Sequence, residues 1–162
     1  VSLFHLVTNF CKALSHRVNR IESMSWDAED VELVSLSWLK PHEEIKPRNR
    51  DKLLDMTKRW KGYTKPLLVD SVTGAILDGH HRHSIAEILE LKRVPAILLD
   101  YLADDEITVS VWPGSGLDSL SKQEVIDMSL SGELFPPKTS KHTISGDLPP
   151  IFVMLEQLMD EE

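Results

Sequence analysis

One stretch of the chain sets the expected fold, and it reads Ala75-Ile76-Leu77-Asp78-Gly79-His80-His81-Arg82-His83. The apolar run ends abruptly at Asp78-Gly79. Apolar residues then recur at helical spacing, at Ile85, Ala86, Ile88 and Leu89. The pattern predicts a strand, a glycine turn and then a helix with one buried face.

The start of this helix is the first candidate for a functional site. Free N–H groups of the first turn and the positive end of the helix dipole together attract anions. His80, His81 and Arg82 occupy that turn, although cations there oppose the dipole by some tenths of a kcal/mol. The cluster therefore indicates a bound anion. A zinc site is less favoured, because His80, His81 and His83 are too close in sequence to converge easily on one ion. We expect His83, inside the helix, to lie on the surface.

Composition and charge narrow the function classes. The chain has 162 residues, 41% of them hydrophobic and 27% charged, as in one globular domain. Its net charge of −8 argues against a nucleic-acid partner, because such proteins neutralise phosphates with a basic face. The single cysteine, Cys11, excludes an internal disulfide and fits a reducing compartment. No apolar run reaches the roughly 18 residues of a membrane span, so we expect no membrane partner.

Residues 1–30 are expected to form an N-terminal amphipathic helix and a polar connector. Apolar residues recur at helical spacing from Leu3 to Val18, and the first twenty residues include no acidic one. An organellar targeting peptide has the same pattern. We favour a helix docked on the domain, and hence a cytoplasmic location over an organellar one.

The remainder of the chain alternates between strand and helix patterns. Strands are predicted at 31–39, 66–70, 75–77, 94–101 and 107–112, and helices at 49–61, 121–131 and 150–162. Gly62 and Gly132 are helix stop signals, and Ser121 with Glu124 forms a capping box.

A second donor-rich segment follows the helix predicted at 121–131, and it reads Pro136-Pro137-Lys138-Thr139-Ser140-Lys141-His142. Five adjacent side chains can donate hydrogen bonds, in a chain with 26 acidic and 18 basic residues. Most polar loops are simply solvated. A donor-rich loop behind two rigid prolines is nevertheless suited to binding phosphate or carboxylate.

The order of these motifs resembles the ParB/sulfiredoxin-like fold. Within that superfamily, the chain resembles the free serine kinases in particular. The resemblance lies in the Asp-Gly-His-His-Arg motif taken together with Trp112 and segment 135–142. The resemblance covers residues 31–145 and implies an α+β fold, a small mixed sheet flanked by helices. Residues 1–30 and the C-terminal helix and acidic tail of 146–162 lie outside it. One difference is that Ser140 and Lys141 replace the family's threonine and arginine, which loses bidentate recognition by arginine.

The resemblance implies phosphorylation of free L-serine to O-phospho-L-serine with ADP or ATP as donor. Phosphoryl transfer to a hydroxyl needs a base, a charge clamp on the phosphates and usually Mg²⁺. Glu43 is the candidate base and matches the family's catalytic glutamate, with Glu44 as the alternative. Asp78 would hold Mg²⁺ or the substrate amine, or cap the following helix.

The remaining site residues follow from the same resemblance. The nucleotide phosphates would bind at Gly79, His80, His81 and Arg82. The serine would bind at Trp112, which on spacing alone would pass for core packing, and at Lys138, Thr139, Ser140, Lys141 and His142.

Two other function classes stay open at this point. One is a ParB-like protein that binds a nucleotide or that binds or cuts DNA, against which the net charge argues. The other is a sulfiredoxin-type redox enzyme, which needs a cysteine where this chain has His80 and His81. The sequence leaves the donor nucleotide and the oligomeric state open.

Overall fold

A computed structural model describes residues 26–160 of the chain. The N-terminal helix predicted in residues 1–20 lies outside the described residues. The described strands are β1 (Glu32–Ser35), β2 (Gly62–Tyr63), β3 (Leu67–Asp70), β4 (Ile76–Asp78), β5 (Arg93–Leu99), β6 (Ile107–Val111), β7 (Ser140–Ile144) and β8 (Val153–Met154). The described helices are α1 (Pro47–Trp60), α2 (His80–Ile88), α3 (Lys122–Ser131) and α4 (Leu155–Leu158).

A four-stranded mixed sheet, in the order β1-β5-β3-β4, forms the centre of the fold. Strand β5 runs antiparallel to β1 and parallel to β3, and β3 and β4 form an antiparallel hairpin. The carboxylate of Asp70 fixes the hairpin turn, since it accepts hydrogen bonds from the Thr73 N–H at 2.9 Å and hydroxyl at 2.6 Å. The α+β fold with a small mixed sheet is therefore confirmed, as are the strands predicted at 66–70 and 75–77, to within one residue at each end.

Both faces of this sheet are covered by hydrophobic clusters. Alternate residues of a strand point to opposite faces, so neighbouring residues of β3 belong to different clusters. Leu67 and Val69 of β3 pack with Ile85 of α2 in one hydrophobic cluster. Leu68, between them in sequence, packs with Val125 of α3 in a second cluster on the opposite face. The capping box predicted at the start of α3 is confirmed, as is Gly132 as its stop.

Strands β6 and β7 form a separate antiparallel ribbon that pairs Ile107 with Ile144 and Val111 with Ser140. The sequence predicted a loop through His142, but β7 already begins at Ser140. Its residues alternate between half-buried and exposed, as a strand with one covered face requires. The polar composition of the segment hid this strand, and the pairing with β6 determines it.

Two predicted element ends differ from the structure. The strand predicted at 31–39 ends at Ser35, and Leu36–Trp38 form a 3₁₀ turn. Helix α1 ends at Trp60 and is capped by Lys61 in the left-handed conformation, with φ 60°. Gly62, predicted as the helix stop, belongs to β2 instead, where an added Cβ would lie 2.7 Å from the carbonyl oxygen of Val153. Close backbone approach therefore requires this glycine.

The C-terminal helix predicted over 150–162 is wrong for most of its length. Val153 and Met154 pair with β2, and among residues 150–160 only Leu155–Leu158 are helical. Leu158 is fully buried in the cluster that contains Leu67. Strand pairing and this anchor outweigh the helical periodicity of the segment.

The buried face of α2 also differs from the prediction. Ile85 and Ala86 are buried as expected, but 48% of Ile88 is exposed. His83, predicted on the surface, is buried instead, and its Nδ1 lies 3.1 Å from Oε1 of Glu87.

No helix within residues 26–160 is long and apolar enough to cross a membrane. The predicted division of the chain at residues 30 and 145 stays a prediction.

Candidate active site

A cavity of about 460 Å³ lies where the start of α2, the start of α1 and the end of the β6–β7 ribbon meet. The predicted site residues that line it are Glu43, Asp78, Gly79, His80, His81, Arg82, Trp112, Lys138, Ser140, Lys141 and His142. The fold thus brings the two donor-rich segments together. Thr139 does not line the cavity, because its side chain is buried and its hydroxyl donates to the Pro136 carbonyl at 2.7 Å.

The turn from β4 into α2 depends on Gly79. This residue has φ 109°, and an added Cβ would lie 2.7 Å from Cγ of Leu67 and 3.2 Å from Nη2 of Arg82. A side chain here would meet both strain and collision. Gly79 is itself the cap residue of α2, so the suggestion that Asp78 caps the helix is wrong. Asp78 is exposed at the cavity, 3.5 Å from Nη2 of Arg82.

His80 and His81 fasten the segment that carries Glu43. Nε2 of His80 accepts the N–H of His42 at 3.1 Å, and Nε2 of His81 accepts the N–H of Lys46 at 3.1 Å. Burial is the largest cause that lowers the pKa of both rings. Neighbouring histidines lower the pKa of His80 further, whereas at His81 Arg82 lowers it and the Glu43 carboxylate opposes part of the effect. Both rings are therefore neutral at neutral pH. The expectation of three cations in this turn is corrected to one, Arg82.

Arg82 is held in place by its packing and its backbone. Its side chain is 17% exposed, its carbonyl accepts the Tyr63 hydroxyl at 2.7 Å, and its Nε makes no hydrogen bond within residues 26–160. Burial raises the pKa of Tyr63, which keeps that hydroxyl a donor. A guanidinium that lines the cavity at a helix start is suited to binding an oxyanion.

Glu43 is fixed by the segment that precedes and begins β7. Its Oε1 accepts the N–H of Thr139 at 3.1 Å, the N–H of Ser140 at 2.7 Å and the hydroxyl of Ser140 at 2.9 Å. No hydrogen bond from residues 26–160 reaches its Oε2. Glu44 also lines the cavity, but it is exposed and no hydrogen bond within the described residues holds its carboxylate; its backbone N–H donates to the Phe135 carbonyl at 2.8 Å. The geometry therefore favours Glu43 over Glu44 as the base.

Sequence reasoning missed a buried imidazole behind Glu43. His42 is fully buried, and its Nε2 lies 3.0 Å from the Ser140 hydroxyl. Burial lowers its pKa to about 4, and the nearby Ile76 backbone opposes only part of this effect. Nδ1 of His42 makes no hydrogen bond within the described residues. The only sequence signal was its position between Pro41 and the candidate base.

His42 belongs to a small group of packed aromatic rings. Its ring centroid lies 4.5 Å from that of His80 and 5.9 Å from that of His142. The Tyr101 hydroxyl lies 2.8 Å from Nε2 of His142. Burial, together with the neighbouring His42 and Lys122, lowers the pKa of His142 to about 3. These rings form an uncharged floor beneath the charged wall of the cavity.

Trp112 organises the segment before β7. Its Nε1–H donates to the Ser140 carbonyl at 3.1 Å, and its backbone N–H donates to the Thr139 carbonyl at 3.1 Å. The Nζ atoms of Lys138 and Lys141 lie 4.6 Å and 4.7 Å from its ring centroid. The indole therefore holds two ammonium groups at the cavity through cation–π contacts.

Two further cavity residues were not predicted. Lys46 and Asn49 stand at the start of α1 and line the cavity. Pro47 at the first helical position marked that start, because its fixed φ suits it. No group of three or more metal-ligating side chains converges in the described part of the chain.

The chain is similar in sequence to several known proteins, and no family model matches. The chain is 31% identical over 94 residues to an ATP-dependent L-serine kinase of Staphylothermus marinus, covering 56% of this chain and 37% of that protein. It is 32% identical over 87 residues to the ADP-dependent L-serine kinase SerK of Thermococcus kodakarensis, covering 51% and 36%. A ParB-like protein of Sulfolobus acidocaldarius is 32% identical over 82 residues, covering 51% and 40%. The chain thus matches well under half the length of these relatives.

Solved structures decide the fold. A free serine kinase in complex with AMP matches with a TM-score of 0.73 at 19% identity, over 83% of this chain and 95% of that one. The chain has the fold of the free serine kinases. A mutant of that kinase in complex with ADP matches equally well. SbnI from Staphylococcus aureus, with its C-terminus truncated, matches with a TM-score of 0.71 at 14% identity, over 83% and 91%.

In this serine kinase fold, the cavity lies at the glycine turn between β4 and α2 and is closed by the β6–β7 ribbon. The predicted resemblance is therefore confirmed at the level of fold and of relatives. The roles of the individual side chains stay predictions.

Proposed function

We propose that this chain phosphorylates free L-serine to O-phospho-L-serine with ADP or ATP as donor. One observation carries the proposal: Glu43, with one oxygen fixed, shares a cavity with the start of α2 and Arg82. Phosphoryl transfer depends on holding a base, an acceptor and the donor phosphates in line. The names of the relatives support the same reaction class.

The nucleotide phosphates bind at the start of α2 in this proposal. Gly79, His80, His81 and Arg82 of its first turn line the cavity, where the positive end of the helix attracts anions and Arg82 adds a cation. Lys46, whose backbone N–H is bonded to His81, also lines the cavity and adds a second positive charge. His80 and His81 shape this wall as neutral rings.

Asp78 is suited to Mg²⁺. Its carboxylate is exposed at the cavity and only loosely paired with Arg82, at 3.5 Å. Mg²⁺ in such enzymes binds through one or two carboxylates together with the substrate phosphates, so one aspartate fits it. When bound, the ion would neutralise charge on the phosphates.

The acceptor serine binds on the opposite wall. Lys138 and Lys141, held against Trp112, present two ammonium groups for its carboxylate. His142 lines the same wall. The serine hydroxyl then lies against Oε2 of Glu43, which takes its proton as the oxygen attacks the terminal phosphorus of the donor. The bond from that phosphorus to the bridging oxygen breaks, and AMP leaves from ADP or ADP leaves from ATP.

The test is direct. The chain is incubated with L-serine, Mg²⁺ and either ADP or ATP, and O-phosphoserine is detected by phosphorus NMR. We expect product with at least one donor, and none from the Glu43→Gln variant on the same timescale. Nucleotide binding without any phosphoserine from either donor would overturn the proposal and would favour a nucleotide-binding, ParB-like role.

A further inference from the structure

We propose that Ser140 and His42 are positioning residues for Glu43, and that the Ser140 side chain does not bind the acceptor. The inference rests on the proposed kinase function, since it concerns the base of that reaction. It replaces the sequence-based expectation that the Ser140 hydroxyl contacts the substrate.

The direction of each hydrogen bond follows from counting protons. The Ser140 hydroxyl carries one proton and lies 2.9 Å from Oε1 of Glu43 and 3.0 Å from Nε2 of His42. An ionised carboxylate only accepts hydrogen bonds, so the serine proton points to Glu43. His42 must then donate from Nε2 to the serine oxygen. The neutral ring therefore carries its proton on Nε2.

The surroundings of Nδ1 do not decide the tautomer. Nδ1 of His42 makes no hydrogen bond of full geometry within residues 26–160, but the Ile76 backbone lies close enough to the buried ring to raise its pKa. The proton on Nε2 therefore follows from the Ser140 contacts alone.

This chain of hydrogen bonds fixes the orientation of the carboxylate. Oε1 of Glu43 accepts three donors, two from backbone N–H groups and one from Ser140. Because a carboxylate is rigid, holding one oxygen also sets the direction of the other, which is left for the cavity. His80 and His81 restrain the backbone on either side of Glu43. An error of about 1 Å in such a base can cost about 100-fold in rate.

The same contacts leave the Ser140 side chain nothing to donate. Its hydroxyl proton and its backbone N–H both go to Glu43. An acceptor carboxylate needs donors, so it finds them in Lys138 and Lys141 instead. Loss of the Ser140 hydroxyl should therefore slow turnover without weakening serine binding.

Steady-state kinetics separate the two roles. We expect Ser140→Ala to lower kcat about 10- to 100-fold and to leave the KM for serine and the Kd for nucleotide within about twofold. Ser140→Thr, which keeps the hydroxyl, should restore kcat to within about threefold. Ser110→Ala is the matched control, because it removes an exposed hydroxyl from the same ribbon whose one hydrogen bond within the described residues, to the Lys141 carbonyl, is long at 3.4 Å. A raised KM for serine at unchanged kcat in Ser140→Ala would overturn the inference.

A second readout does not depend on activity. Nitrogen-15 NMR of the His42 imidazole at pH 7 should show the tautomer protonated on Nε2, with a signal that changes in Ser140→Ala and stays in Ser110→Ala. A ring protonated on Nδ1 would refute the proposed direction of the chain. If the wild-type protein makes no phosphoserine, the proposed function fails, and this spectrum still tests the positioning of Glu43.

Discussion

Lowering the pH should destabilise this protein through His42. The ring is fully buried and neutral in the folded state, where burial lowers its pKa from 6.5 to about 4. In the unfolded chain the ring regains its ordinary pKa and binds a proton readily below pH 6.5. The unfolded state therefore binds more protons between these two values. Stability falls as the pH drops through this window, and the loss levels off below the folded pKa.

The size of the effect follows from the two pKa values. The full loss for His42 corresponds to about 3 kcal/mol, and about 2 kcal/mol of it is already reached at pH 5. His142, whose pKa is lowered to about 3, changes stability in the same direction. A loss of this size is a large fraction of the stability of an ordinary domain.

Urea denaturation at pH 7 and at pH 5 measures this loss. The carboxylates of the chain also titrate in this range, so the informative comparison is with His42→Gln, which cannot titrate but keeps an N–H donor. We expect the difference in unfolding free energy between the two pH values to be about 2 kcal/mol smaller in the variant. An identical pH dependence in both proteins would refute the assignment of a buried, neutral His42.

Three further predictions concern the site. Glu43→Gln should reduce turnover about 10²–10⁴-fold, while its nucleotide affinity measured by calorimetry stays unchanged. Glu44→Gln should keep a turnover close to that of the wild type, and the reverse ranking would assign the base to Glu44. Arg82→Ala should weaken nucleotide binding by about 1.5–3 kcal/mol, the value of a charge-assisted hydrogen bond, and unchanged affinity would place the phosphates elsewhere. Gly79→Ala should lower the unfolding free energy by about 1–3 kcal/mol, because the residue has φ 109° and its Cβ would collide with Leu67; an unchanged melting temperature would contradict this.

The sequence by itself determined the turns and helix starts that depend only on neighbouring residues. The turn at Asp78-Gly79 ends a strand and begins a helix because only glycine tolerates the backbone conformation there. The capping box of Ser121 and Glu124 likewise satisfies its own helix start. Glu43 could be chosen as the base from its motif, and the structure places it on the cavity.

Only the tertiary structure decided the charge and the partners of the site residues. His80 and His81 look like cations in the sequence, yet burial and the N–H groups of another segment make them neutral acceptors. Ser140 looks like part of a solvated loop, yet pairing with β6 places its hydroxyl between His42 and Glu43. Desolvation and long-range hydrogen bonds depend on which segments pack together, and no local pattern of residues encodes that.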